Sequence, residues 1–211
     1  MKWIKLYESY RDIDSICEKY GIYNYTINKD NTIDVDGVVN LSYKELTKLP
    51  LKFGKVSGDF YCNNNNLTTL EGGPQSVGRS FNCRNNYLNT LEGCPKSVGG
   101  SFNCSENELT TLEGGPQSVG ENFYLEENEL KDLYGFPEFF DNTIYYYNNP
   151  IEEILDLFNI NKLGKVIDFL NEYGVIQQNG KLVVLDRLEE VFHLLIIEIP
   201  EEINLHNYEV N

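Results

Sequence analysis

Apolar residues recur along this chain at a constant spacing of 21. Phe60, Phe81, Phe102, Phe123 and Ile144 share one position of the period. Two residues on stand Cys62, Cys83, Cys104, Leu125 and Tyr146. Further columns are Leu67, Leu88, Leu109, Leu130 and Ile151, then Leu70, Leu91, Leu112, Leu133 and Ile154. Val56, Val77, Val98, Val119 and Phe140 open each unit, and Pro74, Pro95, Pro116 and Pro137 close it. A fixed period in the 20s predicts a stacked solenoid. Residues two apart on a strand point the same way, so Phe102 and Cys104 face inward together. Leu109 and Leu112, three apart, suit a turn that folds back over them. The pattern predicts one short strand per repeat, stacked in parallel about 4.8 Å apart. A single repeat cannot bury these groups alone, so neighbours must share a core.

One column inside this apolar frame is polar: Asn65, Asn86, Asn107, Asn128 and Asn149. An amide side chain donates and accepts, and a buried polar group is costly unless paired. The column is therefore expected to satisfy backbone groups where the chain bends between coils. The Gly-Gly-Pro corners are structural for a different reason: glycine admits unusual backbone angles and proline fixes one.

The run Phe-x-Cys-x-x-Asn-x-Leu matches the L-x-L-x-x-N-x-L core of leucine-rich repeats. Over roughly residues 35–155 the chain resembles that family, particularly its short-repeat proteins from bacterial and tailed-phage genomes. The resemblance implies a curved solenoid used for binding. Phenylalanine and cysteine replace most strand leucines here, and glycine-rich corners replace a convex helix. The expected architecture is an α/β solenoid, a leucine-rich-repeat-like parallel β-sheet coil over residues 37–149. An N-terminal helix-strand cap (1–36) and a mainly helical, acidic C-terminal cap or small module (150–211) flank it.

The flanks read as follows. Residues 8–20 are expected to be helical, with Ile13, Ile16 and Cys17 on one face and Gly21 as the stop. Tyr23–Ile27 and Thr32–Asp36 read as strands around a turn at Lys29-Asp30-Asn31. Val39, Leu41, Leu46 and Leu49 form a degenerate first repeat in which Lys44 replaces the asparagine. At the other end Asn149 is both the last column asparagine and a candidate N-cap, followed by Pro150, Glu152 and Glu153. Leu163, Val166, Ile167 and Leu170 predict a second helix, Lys181–Leu185 a strand, and Leu188, Val191, Phe192 and Leu195 a third helix. Ile203, Leu205 and Tyr208 are apolar anchors by which the tail could dock.

Net charge is −16 and uneven. Residues 1–120 carry 14 acids and 12 bases, a net −2, whereas 121–211 carry 19 acids and 5 bases, a net −14. Direct nucleic-acid binding needs clustered lysine and arginine and is not expected; a basic protein partner is conceivable. Five cysteines are an odd number, with three in the inward column. They are expected as buried free thiols rather than disulfides or a metal ladder. No run approaches the roughly 20 apolar residues of a membrane span, and the start lacks the apolar core of a signal peptide. The expectation is a cytoplasmic protein, in the host-cell cytoplasm if viral. No triad, phosphate loop or zinc-ligand spacing stands out. Of the two histidines, His193 reads as a packing or surface residue. No enzyme activity, cofactor or metal is expected.

The candidate site is the outward strand face, at positions alternating with the core columns: Tyr61 and Asn63, Asn82 and Arg84, Asn103 and Ser105, Tyr124 and Glu126, Tyr145 and Tyr147. Aromatic and amide groups together suit protein recognition, although sheets favour tyrosine in any case. The function expected is a non-enzymatic protein-binding scaffold, of host-interaction type by resemblance. The alternatives are an acidic inhibitor or nucleic-acid mimic acting through residues 121–211, and a hydrolase in the C-terminal region.

Overall fold

The computed structural model describes residues 12–137, 140, 142–158, 163–177, 180–195, 197, 199–200 and 203–211. The repeats form a parallel β-solenoid of about five turns. Each regular coil contributes two short strands rather than the single one predicted. The first set is β3 (Val39–Asn40), β5 (Phe60–Tyr61), β7 (Phe81–Asn82), β9 (Phe102–Asn103), β11 (Phe123–Tyr124) and β12 (Ile144–Tyr145), paired in that order as one parallel sheet. The second set is β4 (Phe53–Val56), β6 (Ser76–Val77), β8 (Ser97–Val98) and β10 (Ser118–Val119). Register follows the 21-residue period in both: Phe60 pairs with Phe81, Phe81 with Phe102, and Val77 with Val98. The valine column that opens each unit is thus a strand of its own, buried on the inner side.

The corners explain how two residues suffice for each strand. Gly93 and Gly135 have φ of 88°, and a Cβ on either would lie 2.4 Å from a carbonyl oxygen of the coil below. Gly78, Gly99 and Gly120 leave no room for a Cβ either, because the preceding coil's backbone oxygen lies 2.2–2.3 Å from where it would stand. Bare backbone lets successive coils approach closely.

Inside, Phe60, Phe81 and Phe102 stack face to face at 5.5 and 5.4 Å, Phe53 and Phe123 meet their two ends edge-on at 5.0 Å, and Phe136 stacks on Phe123 at 5.6 Å. Cys62, Cys83, Cys104 and the leucine columns are buried beside them.

The asparagine column behaves as its chemistry requires. Asn107 Nδ2 donates to the carbonyls of Cys83 and Cys104, both at 3.1 Å, while its Oδ1 accepts the amide of Leu88 at 3.0 Å. Asn86 and Asn128 repeat this one coil either side. Each amide ties its own bend to the coil below.

At the N-terminal side, residues 12–20 form α1 and Gly21 ends it at φ 66°; residues 8–11 of the expected helix lie outside the described residues. Strand β1 (Tyr25–Ile27) starts two residues later than predicted, because Asn24 takes a left-handed turn at φ 54°. It pairs antiparallel with β2 (Ile33–Val35), which joins β4 and so extends the second sheet.

At the far end, Asn149 does not cap a helix. Its Nδ2 donates to Leu125 and Tyr146 and its Oδ1 accepts Leu130 N, so the column has used the side chain. The short α2 (Glu152–Leu155) begins after Ile151 with no side-chain cap. Then come α3 (Leu163–Glu172), β13 (Ile176–Gln177), β14 (Leu182–Val183), α4 (Leu185–Leu195) and β15 (Glu209–Val210). The tail docks: Leu205 and Tyr208 are buried, Tyr208 Oη donates to Lys131 O at 2.9 Å, and β15 pairs parallel with β14.

Candidate functional site

The expected face falls on the sheet formed by β3, β5, β7, β9, β11 and β12. Two polar rows run across it, each stepping one coil per 21 residues. The first is Tyr61, Asn82, Asn103, Tyr124 and Tyr145, all half-buried. The second, two residues on, is Asn63, Arg84, Ser105, Glu126 and Tyr147.

Much of this face serves the fold. Asn82 Oδ1 accepts the amide of Arg84 at 3.0 Å, and Asn103 Oδ1 accepts both the amide of Ser105 at 3.0 Å and its hydroxyl at 2.7 Å. These asparagines hold the turn that leaves the strand, as short polar side chains do. Asn63 Oδ1 accepts the Ser42 hydroxyl at 2.7 Å. The exposed Arg84 donates through Nε to Glu106 Oε1 at 3.0 Å, and its Nη2 reaches the same oxygen. Glu106, with Glu126 and Glu127, holds the guanidinium pKa above its ordinary value.

Free aromatic surface gathers at the β11–β12 end. Tyr124 and Tyr145 stack at 4.7 Å with planes 3° apart. Tyr147 is 49 % exposed, and the charge of Glu126 is the main influence raising its phenol pKa. Tyr61, at the other end, is raised by burial first and by Asp59 second. The adjacent Tyr146 points elsewhere and donates to Asp156 Oδ1 at 2.9 Å.

Two residues expected to face outward are buried. Ser105 is 5 % exposed and Glu126 is 9 % exposed. Residue alternation places both on the outward row, but it carries no information about what covers them. For Glu126, Tyr147 of the next coil is one neighbour. The sequence reading also missed the turn-holding role of Asn82 and Asn103, for which the signal was present: each stands two residues before the amide it accepts.

The remaining chemistry is sparse. All five cysteines are free and buried. Burial pushes the thiols of Cys62, Cys83 and Cys104 far up and that of Cys94 to about 12. Among the described residues no group of three or more His, Cys, Asp or Glu could hold a metal ion. His193 is exposed on α4, and His206 Nδ1 lies 3.8 Å from Glu153 Oε1. An open cleft of about 830 Å³ lies beside α1, with Asp12, Lys48, Lys52 and Glu71 among its lining residues. Two charges of each sign select no ligand charge. Among the described residues no helix is long and apolar enough to cross a membrane. Compared with protein-family models, curated proteins and solved structures, the chain matches none.

Proposed function

We propose that this chain is a leucine-rich-repeat-like scaffold, without catalytic activity, that binds a protein partner through the outward face of the β3–β12 sheet. Residues 1–36 and 150–211 act as caps on the two ends of the coil. The observation that carries the reading is the Tyr124–Tyr145 stack with Tyr147 beside it. Tyrosine combines a large contact area with a polar tip and little rotamer freedom, and binding energy concentrates in such anchors. Here Tyr124 and Tyr145 stand on paired strands whose inner residues, Phe123 and Ile144, are packed in the core, so little ordering accompanies binding. The acidic excess of residues 121–211 lies in the same half and would steer a basic partner.

Affinity capture from a lysate of the source cells, with mass spectrometry, identifies the partner. The Tyr124→Ser/Tyr145→Ser double variant should then bind it at least about 2 kcal/mol more weakly, with an unchanged circular dichroism spectrum. Tyr87→Ser/Tyr134→Ser removes two exposed rings elsewhere on the coil and should have little effect. If both variants bind like the parent, the face is not the site. Residues 150–211, acting as an acidic inhibitor, then become the leading reading.

A further inference from the structure

Among the described residues, Glu126 Oε2 is the only buried side-chain oxygen or nitrogen without a hydrogen-bond partner. A carboxylate taken so far from water ordinarily has a guanidinium, an ammonium or several N–H donors to answer it. The neighbours in its row leave Oε2 without a hydrogen bond, and the charge of Arg84 reaches Glu126 only from two coils away. Ser105, one coil below, gives its hydroxyl to Asn103. Arg84, two coils below, is engaged by Glu106. Tyr147, one coil above, places its half-exposed phenol against the carboxylate, a neutral neighbour that leaves Oε2 unpaired. The residues that follow in the turns, Glu106 and Glu127, add negative charge rather than relieve it.

A side chain this poorly answered, on the face that carries the aromatic anchors, has the properties of a receptor awaiting its counter-charge. We infer that Glu126 receives a lysine or arginine side chain of the partner protein. In that complex Tyr147 turns aside, the cationic nitrogen donates to Glu126 Oε2, and the alkyl stem lies along the Tyr124–Tyr145 stack. Three features choose this occupant. The orphaned atom is an acceptor, so the partner group must donate. The surrounding charge is negative, so that group must be cationic. Tyrosine faces attract such cations and cover their stems. The inference rests on the strand-face reading and adds the chemistry of the partner's anchor to it.

The test uses the full-length chain, labelled with 15N and titrated with acetyl-hexalysine amide and acetyl-hexaarginine amide at 150 mM salt. Hexalysine acetylated on every Nε is the uncharged control. Expected are amide shifts centred on Glu126, Tyr145 and Tyr147 with the charged peptides and none with the control. Glu126→Gln keeps the size and removes the charge. It should weaken binding at least tenfold, while Glu71→Gln, an exposed acid outside the two rows, changes it less than twofold. The thermal midpoint of Glu126→Gln should equal or exceed the parent's, which separates lost binding from lost fold. Equal loss in the two variants, or shifts spread over the acids of residues 150–211, overturns the inference in favour of diffuse attraction. With the captured partner, binding that survives Glu126→Gln but not Tyr124→Ser/Tyr145→Ser overturns the anchor and leaves the face reading standing. Binding that survives both overturns the two together.

Discussion

An asparagine side chain carries one acceptor and two donors on a single short stem, and the column at Asn65 to Asn149 uses both ends in every coil. Asn107→Ala leaves the carbonyls of Cys83 and Cys104 and the amide of Leu88 without that partner in a dry interior. The expected loss is about 1–3 kcal/mol, read as a lower denaturant midpoint with an unchanged slope. An unshifted midpoint would mean that water answers these groups. A second column acts through the backbone. Asn64, Asn85, Glu106, Glu127 and Asn148 all lie at φ 54–57°. Asparagine tolerates this left-handed region and glutamate gains nothing from it. Glu127 is exposed, so Glu127→Asn should stabilise the chain by up to about 1 kcal/mol. A lower midpoint would show that the glutamate side chain contributes more than its backbone strain costs.

At the scale of the element, legibility tracked length and distance. The columns from Phe60 to Ile144 were plain because each is set by the amino acid at one position and repeats five times. The second sheet was not, because Val77 has no apolar residue two positions away as Phe81 has Cys83, so its two-residue strand displays no alternation. Its pairing with Lys55–Val56 and Ser97–Val98, 21 residues to either side, makes it a strand. Glu126 shows the same limit at the candidate site. Its place on the outward row follows from alternation, whereas its contact with Tyr147 comes from the next coil, 21 residues away. The cysteine column was legible and has a measurable consequence. Folding raises these thiols above their ordinary value by burial, so the folded chain holds protons that the unfolded chain releases above pH about 9. Stability from this column is complete below that pH and declines as pH rises through the alkaline range. Denaturant midpoints at pH 8 and 10 should therefore differ, and Cys83→Ala/Cys104→Ala should show a smaller decline despite lower stability throughout. At pH 8 the native thiols should react with an aromatic disulfide reagent only as fast as the protein opens.

On the scale of the whole molecule, the solenoid is a stack in which each coil meets mainly its neighbours, so its stability is a sum of coil and interface contributions. Removal of one complete period should then shorten the protein without breaking it. Deletion of residues 98–118 joins Ser97 to Val119 and restores every column: Phe81 meets Phe123, Cys83 meets Leu125, and Asn86 meets Asn128. It also brings Glu127 to the place of Glu106, so Arg84 keeps a carboxylate to bind. The shortened chain should retain its circular dichroism shape and melt in one transition at a lower temperature, having lost one coil and one interface. Deletion of residues 98–117 removes one residue fewer and shifts every later column against the coil below. Inward positions then meet outward ones, as in a slipped strand, and that chain should fail to melt cooperatively. If the two deletions behave alike, the period is not what holds the coils in register. The in-phase deletion also bears on Glu126, because it places Arg84 one coil below it instead of two. An arginine held there would answer the orphaned oxygen from within the chain. The shortened protein should therefore bind acetyl-hexalysine amide more weakly than the parent while keeping the Tyr124–Tyr145 stack.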